Sequence, residues 1–365
     1  MIEDRIYDNI FDVIEFLDPT HPILKIKRNV ESNILKKKNV EEKIGTLNKY
    51  PLPGNCGKPI CKNGCILLYR GENQYYENCV ANIFRDRSLD NERDLLKIAI
   101  DRIKISDFKQ ILLHFPQIKK AREDGYYVDF KAIAQHYGLR TSYIDLTSDI
   151  ATALFFASTY SLDNNTFYPI LDGYGYFRGY EIDGIDDNLK MKSIGVQPFL
   201  RPTRQDAFVY EATLNEDFHP RANFIIKFRQ TKINQLFYNL CEMPVSGKEK
   251  LWPKERSLAY FPNEPDIINV SNYIINTHSL TRLSIEKYCR RNNQPFDLFA
   301  ARLKEAGYEV VESTLFDLNS IDINRAKKEI EEKVYVKNHI FNFNELSKNL
   351  WSSMDELDYN NYKSE

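Results

Sequence analysis

The chain has 365 residues, 42% of them hydrophobic and 28% charged, with a formal net charge of −2. That balance suits a globular protein with a sizeable core, and it excludes strong non-specific attraction to nucleic acid over the whole surface while leaving room for a local basic groove. No run approaches the ~20 apolar residues of a membrane span, and the acidic, amphipathic start MIEDRIYDNIFDVIEFL does not read as a secretory signal, so a cytoplasmic protein with no membrane partner is expected.

Residues 1–60 are expected to be a helical region. Ile10, Val13, Ile14 and Leu17 recur at helical spacing, and further helical turns are expected over 33–43. The stretch 51–65, PLPGNCGKPICKNGC, reads as a loop and a boundary. Cys56, Cys61 and Cys65 cluster there without the CxxC pairs of a zinc site, so no metal is expected and the cysteines read as reduced thiols. A short buried strand is expected at 66–69, then helices over 91–105, around 108–115 and over 129–137, the last capped by Gly138. A further helix is expected over 149–159 with Ser148 as N-cap. From 169 to about 232 the pattern turns to strands, in GYGYFRGYEI, DAFVYEA and ANFIIKFR. Helices return near 232–240, 280–289, 296–306 and 322–332. This order predicts an α+β fold, a mixed or antiparallel sheet core with helices grouped around it. The predicted division is a helical region 1–60, a core domain 61–270 and a mainly helical region 271–365.

Four blocks carry chemical information. They are Leu68-Tyr69-Arg70-Gly71-Glu72, then AQHYGLRT from Ala134 to Thr141, then Tyr143-Ile144-Asp145-Leu146-Thr147-Ser148 before ATALFFA, and Gln197-Pro198-Phe199 followed by RPTRQDAF from Arg201 to Phe208. An arginine closing a strand before a glycine suits an anion. Its planar fork matches phosphate, and the glycine lets a ligand approach the backbone. Thr147 and Ser148 offer hydroxyls and free N–H groups at the positive end of a helix. Asp145 is a carboxylate that can act as a base or hold a ribose hydroxyl, and His136 can exchange a proton near neutral pH. Each also has a plain structural role open to it. Arg70 can be satisfied by carbonyls, Thr147 and Ser148 can serve as caps, and Gln135 can lock a turn.

Together the blocks resemble the FRG family, named for its (F/Y)RG motif. Its members show AQHYGLPTRLLDWT, then a helix with ALxFA, then an Arg-rich segment with a Gln before a strand. Here the corresponding stretches read AQHYGLRTSYIDLT, ALFFA and RQDAF, over about residues 66–262 when an LWP segment at 251–253 is counted. Arg140, Ser142 and Leu146 stand where the family has Pro, Arg and Trp. A second FRG triplet at Phe177–Gly179 lacks the later blocks and reads as a strand-edge arginine.

The same order resembles one branch of the ADP-ribosyltransferases. That resemblance implies an ADP-ribosyltransferase-like fold and NAD as substrate. It assigns NAD binding to Tyr69, Arg70, Gly71, Thr147, Ser148 and Arg204 and puts Gln205 at the catalytic position, with Asp145 and His136 the other candidate catalytic residues and no metal. The implied protein is a transferase or NAD hydrolase, an effector such as a toxin or phage-defence component, acting on nucleic acid, protein or water. Gln205 stands where the resemblance asks for a catalytic glutamate. A neutral amide bonds ribose but supplies no charge. The alternative is therefore a non-catalytic sensor or interaction module that binds a nucleotide or nucleic acid.

Overall fold

A mixed sheet of seven strands organises the described residues. The computed structural model describes 6–21, 66–123, 128–161, 167–182, 190–194, 197–199, 205–242 and 264–324, except 89 and 215, together with 23, 24, 27, 201 and 202. The turns expected at 33–43, the cysteine loop 51–65, Arg204, the LWP segment and most of the helix expected at 322–332 lie outside them.

Strand β1 (Ile6–Tyr7) leads into α1 (Ile10–Leu17), started by Asn9, whose side chain accepts from the Phe11 and Asp12 amides. Next come β2 (Ile66–Glu72), α2 (Glu92–Leu112), α3 (Pro116–Glu123) and α4 (Phe130–His136). The chain continues through β3 (Tyr143–Thr147), α5 (Ile150–Ser158), the hairpin β4 (Thr159–Ser161) and β5 (Phe167–Pro169), and β6 (Tyr174–Ile182). After β7 (Met191–Ser193), β8 (Ala207–Glu211) and β9 (Phe224–Arg229) comes α6 (Asn234–Glu242). The last part holds α7 (Pro265–Asn276), β10 (Ser279–Thr281), α8 (Arg282–Arg291), α9 (Phe296–Glu305) and β11 (Glu309–Val311). The large sheet has the order β1-β9-β6-β2-β3-β8-β7. β1 runs parallel to β9, and the other pairings in that sheet are antiparallel.

Strand alternation sorts the two faces. Tyr69, Phe177, Ile226 and Phe228 point to one face, where α1, α5 and α6 bury Phe11, Ile14, Leu154, Phe155 and Phe237. Leu68, Ile144, Leu146, Tyr180 and Tyr210 point to the other, against Phe84, Ile98 and Phe218. The closest approach is backbone to backbone. A Cβ built on Gly71 would lie 1.6 Å from the Ala153 carbonyl oxygen and 2.8 Å from the Ala157 nitrogen. One built on Gly175 would lie 2.7 Å from the Ala157 oxygen. Glycines on the sheet and alanines on α5 together let that helix lie flat on β2 and β6.

One expected break is absent and one helix starts later than expected. The helices expected at 91–105 and 108–115 are one helix, because buried Asp107 has a distant partner: it accepts from the Thr281 amide at 3.1 Å. That bond also pulls Leu280 into β10, so the following helix starts at Arg282 with Thr281 as its cap. The 264–324 segment packs on α2 through Ile100, Ile103, Leu280, Ile285, Phe299 and Leu303. Among the described residues, no helix is long and apolar enough to cross a membrane.

Candidate functional site

β2 and β3 pair at a single position, Tyr69 opposite Thr147. Beyond it β2 continues along β6 while β3 runs along β8. The sheet splits there, and a cleft of about 270 Å³ occupies the gap. Arg70, Arg85, His136, Asp145, Phe156 and Gln205 line it, among others.

Arg70 bridges the split. Its Nη1 donates to the Asp145 carbonyl at 2.9 Å, and its Nε lies 3.4 Å from Glu72 Oε1. The Arg70 side chain keeps 22% exposure and lines the cleft. Glu72, 3% exposed, is shared. Arg178 Nε meets its Oε2 at 2.9 Å and His219 Nε2 meets its Oε1 at 2.8 Å. Burial pushes the Glu72 carboxyl up, but the His219 bond and the two guanidiniums outweigh this and hold it at about 2.

Arg178 lies directly opposite Arg70 in the ladder, with Tyr69 opposite Gly179 and Gly71 opposite Phe177. The second FRG triplet is thus the cross-strand mate of the first. Its arginine is buried at the centre of the sheet, not placed at a strand edge. Glu72, Cys79 and His219 also come within 4.8 Å of one another as potential metal ligands. Two guanidiniums on the same carboxylate oppose a cation there, and burial raises the Cys79 thiol, keeping it protonated.

An acid-stability experiment follows from Glu72. Its folded pKa is depressed, so its contribution is present above the ordinary value of 4.5 and is lost as pH falls through about 2. Denaturant unfolding should lose about 3 kcal/mol over that window, and Glu72→Gln should flatten the loss. An equal acid loss in both proteins would contradict this.

The opposite wall is built by the AQHYGLRT block. α4 ends at His136, and Gly138 turns the chain at φ 91 while the Leu139 amide returns to the Ala134 carbonyl at 2.9 Å. Gln135 Nε2 donates to Asp145 Oδ2 at 2.8 Å, Thr141 Oγ1 donates to Gln135 Oε1 at 2.5 Å, and the Thr141 amide donates to Asn82 Oδ1 at 2.7 Å. This chain fixes Asp145 and leaves its Oδ1 buried without a hydrogen-bond partner. His136 Nδ1 lies 3.0 Å from Gln205 Oε1. An amide oxygen only accepts, so Nδ1 carries the proton and Nε2 presents a lone pair. Nε2 is likewise buried without a partner. Burial pushes the His136 pKa down further than Asp145 raises it, so the ring is neutral at pH 7.

The FRG domain family model matches residues 66–166. The chain carries an FRG domain. Neither the curated proteins nor the solved structures gave a match. The matched FRG segment supplies Arg70, His136 and Asp145, while Arg178, Gln205 and His219 join them from later strands and loops.

Of the other residues singled out from sequence, Tyr69 and Thr147 line the FRG cleft, but their polar and aromatic groups have internal work. The Tyr69 ring lies 5.1 Å from that of Phe177 in the core. Thr147 Oγ1 donates to the Gln205 carbonyl at 2.6 Å and accepts from the Asp149 amide at 2.9 Å. Gly71 also lines the cleft, while the position a Cβ would take on it is filled by Ala153 of α5. Ser148 is not among the lining residues, and the N-cap of α5 is Asp149. Asp149 accepts from the Thr152 amide at 2.8 Å and Thr152 Oγ1 at 2.6 Å, with His21 at 4.0 Å. Burial raises the Asp149 carboxyl, but His21 and Thr152 bring it down to about 2.

Several contributors were not foreseen. Glu72 had a local signal, since it follows Arg70 by two and shares its face. Buried Arg201 donates to the His136 carbonyl at 3.2 Å and lies 4.6 Å from the Tyr137 ring centre, and the Tyr137 hydroxyl bonds Glu264. Arg201, Glu264 and His219 do not line the cleft but hold His136, Tyr137 and Glu72 from behind, and long-range folding alone brings them there.

Proposed function

We propose that the FRG cleft binds NAD and cleaves its nicotinamide–ribose bond, passing ADP-ribose to an acceptor or to water. The observation that carries this reading is the division of the cleft into two walls. One offers the Arg70 guanidinium, backed by Arg178, with both sharing a single carboxylate. The other offers two buried acceptors without partners, His136 Nε2 and Asp145 Oδ1. A buried unsatisfied acceptor costs about 1–3 kcal/mol, which a ligand carrying donors recovers on binding. A ribose beside a pyrophosphate fits both demands, with hydroxyls for the acceptors and phosphate oxygens for the arginine.

The chemistry follows from the same groups. As the C1′–N1 bond breaks, nicotinamide leaves with the electron pair and positive charge develops on the ribose. Glu72 is already held by two guanidiniums and the His219 ring and contributes little there. Asp145 keeps one oxygen unbonded and supplies the compensating negative charge. The attacking nucleophile bonds C1′ and loses its proton, for which the His136 Nε2 lone pair is the available base.

The test is nicotinamide release from NAD by the full chain. Asp145→Asn should lower kcat by about 100-fold or more with little change in KM, and Arg70→Ala should chiefly raise KM. Absence of release from the unmodified chain would end the catalytic reading. Saturable NAD binding without release would instead support a binding module. That second reading is favoured by Gln205, a neutral amide whose Oε1 is already engaged by His136.

A further inference from the structure

On the far half of the sheet, α5 covers the face to which Gly175 and Phe177 point. Tyr174 and Tyr176 of β6 alternate to the opposite face. Their cross-strand partners on β9 are Arg229 and Lys227, so each tyrosine stands opposite a cationic residue in the ladder. The Lys227 ammonium lies 4.0 Å from the Tyr174 ring centre and 5.9 Å from that of Tyr176. Tyr75, 64% exposed, extends the row with its ring 5.7 Å from Tyr176. Its neighbour Tyr76 lines the mouth of the cleft. Of the nearby carboxylates, Glu72 stands opposite Tyr176 in the ladder but is held by Arg70 and Arg178, while Asp172 and Glu77 lie in the turn before β6 and the loop after β2.

We infer that this face is a binding platform for single-stranded nucleic acid, which it leads toward the Arg70 cleft. Rings two residues apart on a strand are about 7 Å apart, a spacing at which unstacked successive bases can each lie on a ring. The paired cations stand where a backbone running alongside would place its phosphates. A duplex hides its base faces, so the platform selects single strands. The chain's net charge of −2 makes the attraction local to this face. Binding here stands apart from NAD cleavage. Only the further role of the strand as ADP-ribose acceptor rests on that reading.

The test is fluorescence anisotropy of the full chain, without NAD, against labelled oligothymidylate and oligouridylate of about 15 nucleotides. Saturable binding is expected, with the two probes deciding between DNA and RNA. Tyr174→Ala and Tyr176→Ala should each weaken it by about tenfold, Tyr176→Phe should leave it unchanged, and Lys227→Gln should make the salt dependence shallower. Circular dichroism checks that each variant is folded, and Arg229→Gln, at the exposed end of β9, is a second probe if a tyrosine variant is not. No saturable binding to either probe would overturn the inference, as would binding indifferent to both tyrosines or equal competition by duplex. Loss of NAD cleavage with oligonucleotide binding intact would count against the cleft reading alone.

Discussion

Replacing Gly71 with alanine is expected to unfold the FRG domain at ordinary temperature. The new Cβ would fall 1.6 Å from the Ala153 carbonyl oxygen and 2.7 Å from its carbon, so the obstacle is helix backbone and cannot swing aside. Relief requires α5 to lift from β2. That helix buries Leu154, Phe155 and Ala157 in the largest apolar cluster and carries Asp149 at its start. Inserting one methylene into a packed core costs about 1–3 kcal/mol where side chains can adjust, and more where backbone must move. Against a typical total stability of about 5–15 kcal/mol, several kcal/mol is decisive. Gly173 provides the comparison. Its φ is +90 and nothing lies within 4 Å of the position a Cβ would take, so alanine there brings only backbone strain, about 1 kcal/mol. Thermal unfolding of both variants checks the contrast, and a Gly71→Ala protein melting with the unmodified chain would refute it.

Glu72→Gln is expected to cost about 3–5 kcal/mol, the loss typical of removing one partner from a buried ion pair. Arg178 is 3% exposed and would be left with a neutral amide, with the Arg70 charge directly across the ladder. Much of that loss is the penalty for a buried charge without a counter-ion, so removing the second charge should recover part of it. The double variant Glu72→Gln with Arg178→Met should be more stable than Glu72→Gln alone, a coupling readable from denaturant curves. Additive losses would show that the two side chains do not form the linked unit described.

Much of the fold was legible because apolar periodicity is local. The run ILLY marked β2, and the alanines and phenylalanines of ATALFFA marked α5. What escaped depends on partners distant in sequence. The strand expected to stop at 69 continues to Glu72, because Arg70 and Glu72 are polar residues satisfied within the sheet and by Arg178. The second FRG triplet looked like a decoy because nothing local shows which strand will lie beside it. Ser148 and Asp149 are both good N-caps, and the helix start fixed by backbone geometry selects Asp149. At the site, the motif residues Arg70, His136, Asp145 and Gln205 do come together on one cleft, but Ser148 is not among its lining residues and Arg204 lies outside the described residues. The AQHYGLRT block carried more than a helix end, since Gln135 and Thr141 hold Asp145 in place.

Every role proposed for the cleft requires a solute to enter the split between β2 and β3 and meet Arg70 there. Calorimetric titration of the full chain with ADP-ribose, which has the pyrophosphate and ribose but no nicotinamide to lose, tests this without any turnover. A saturable one-site isotherm is predicted, weakened by about tenfold or more in Arg70→Ala, whose lost charge-assisted bonds are worth about 1.5–3 kcal/mol. Identical affinity with and without the Arg70 guanidinium, or no heat of binding at all, would contradict it.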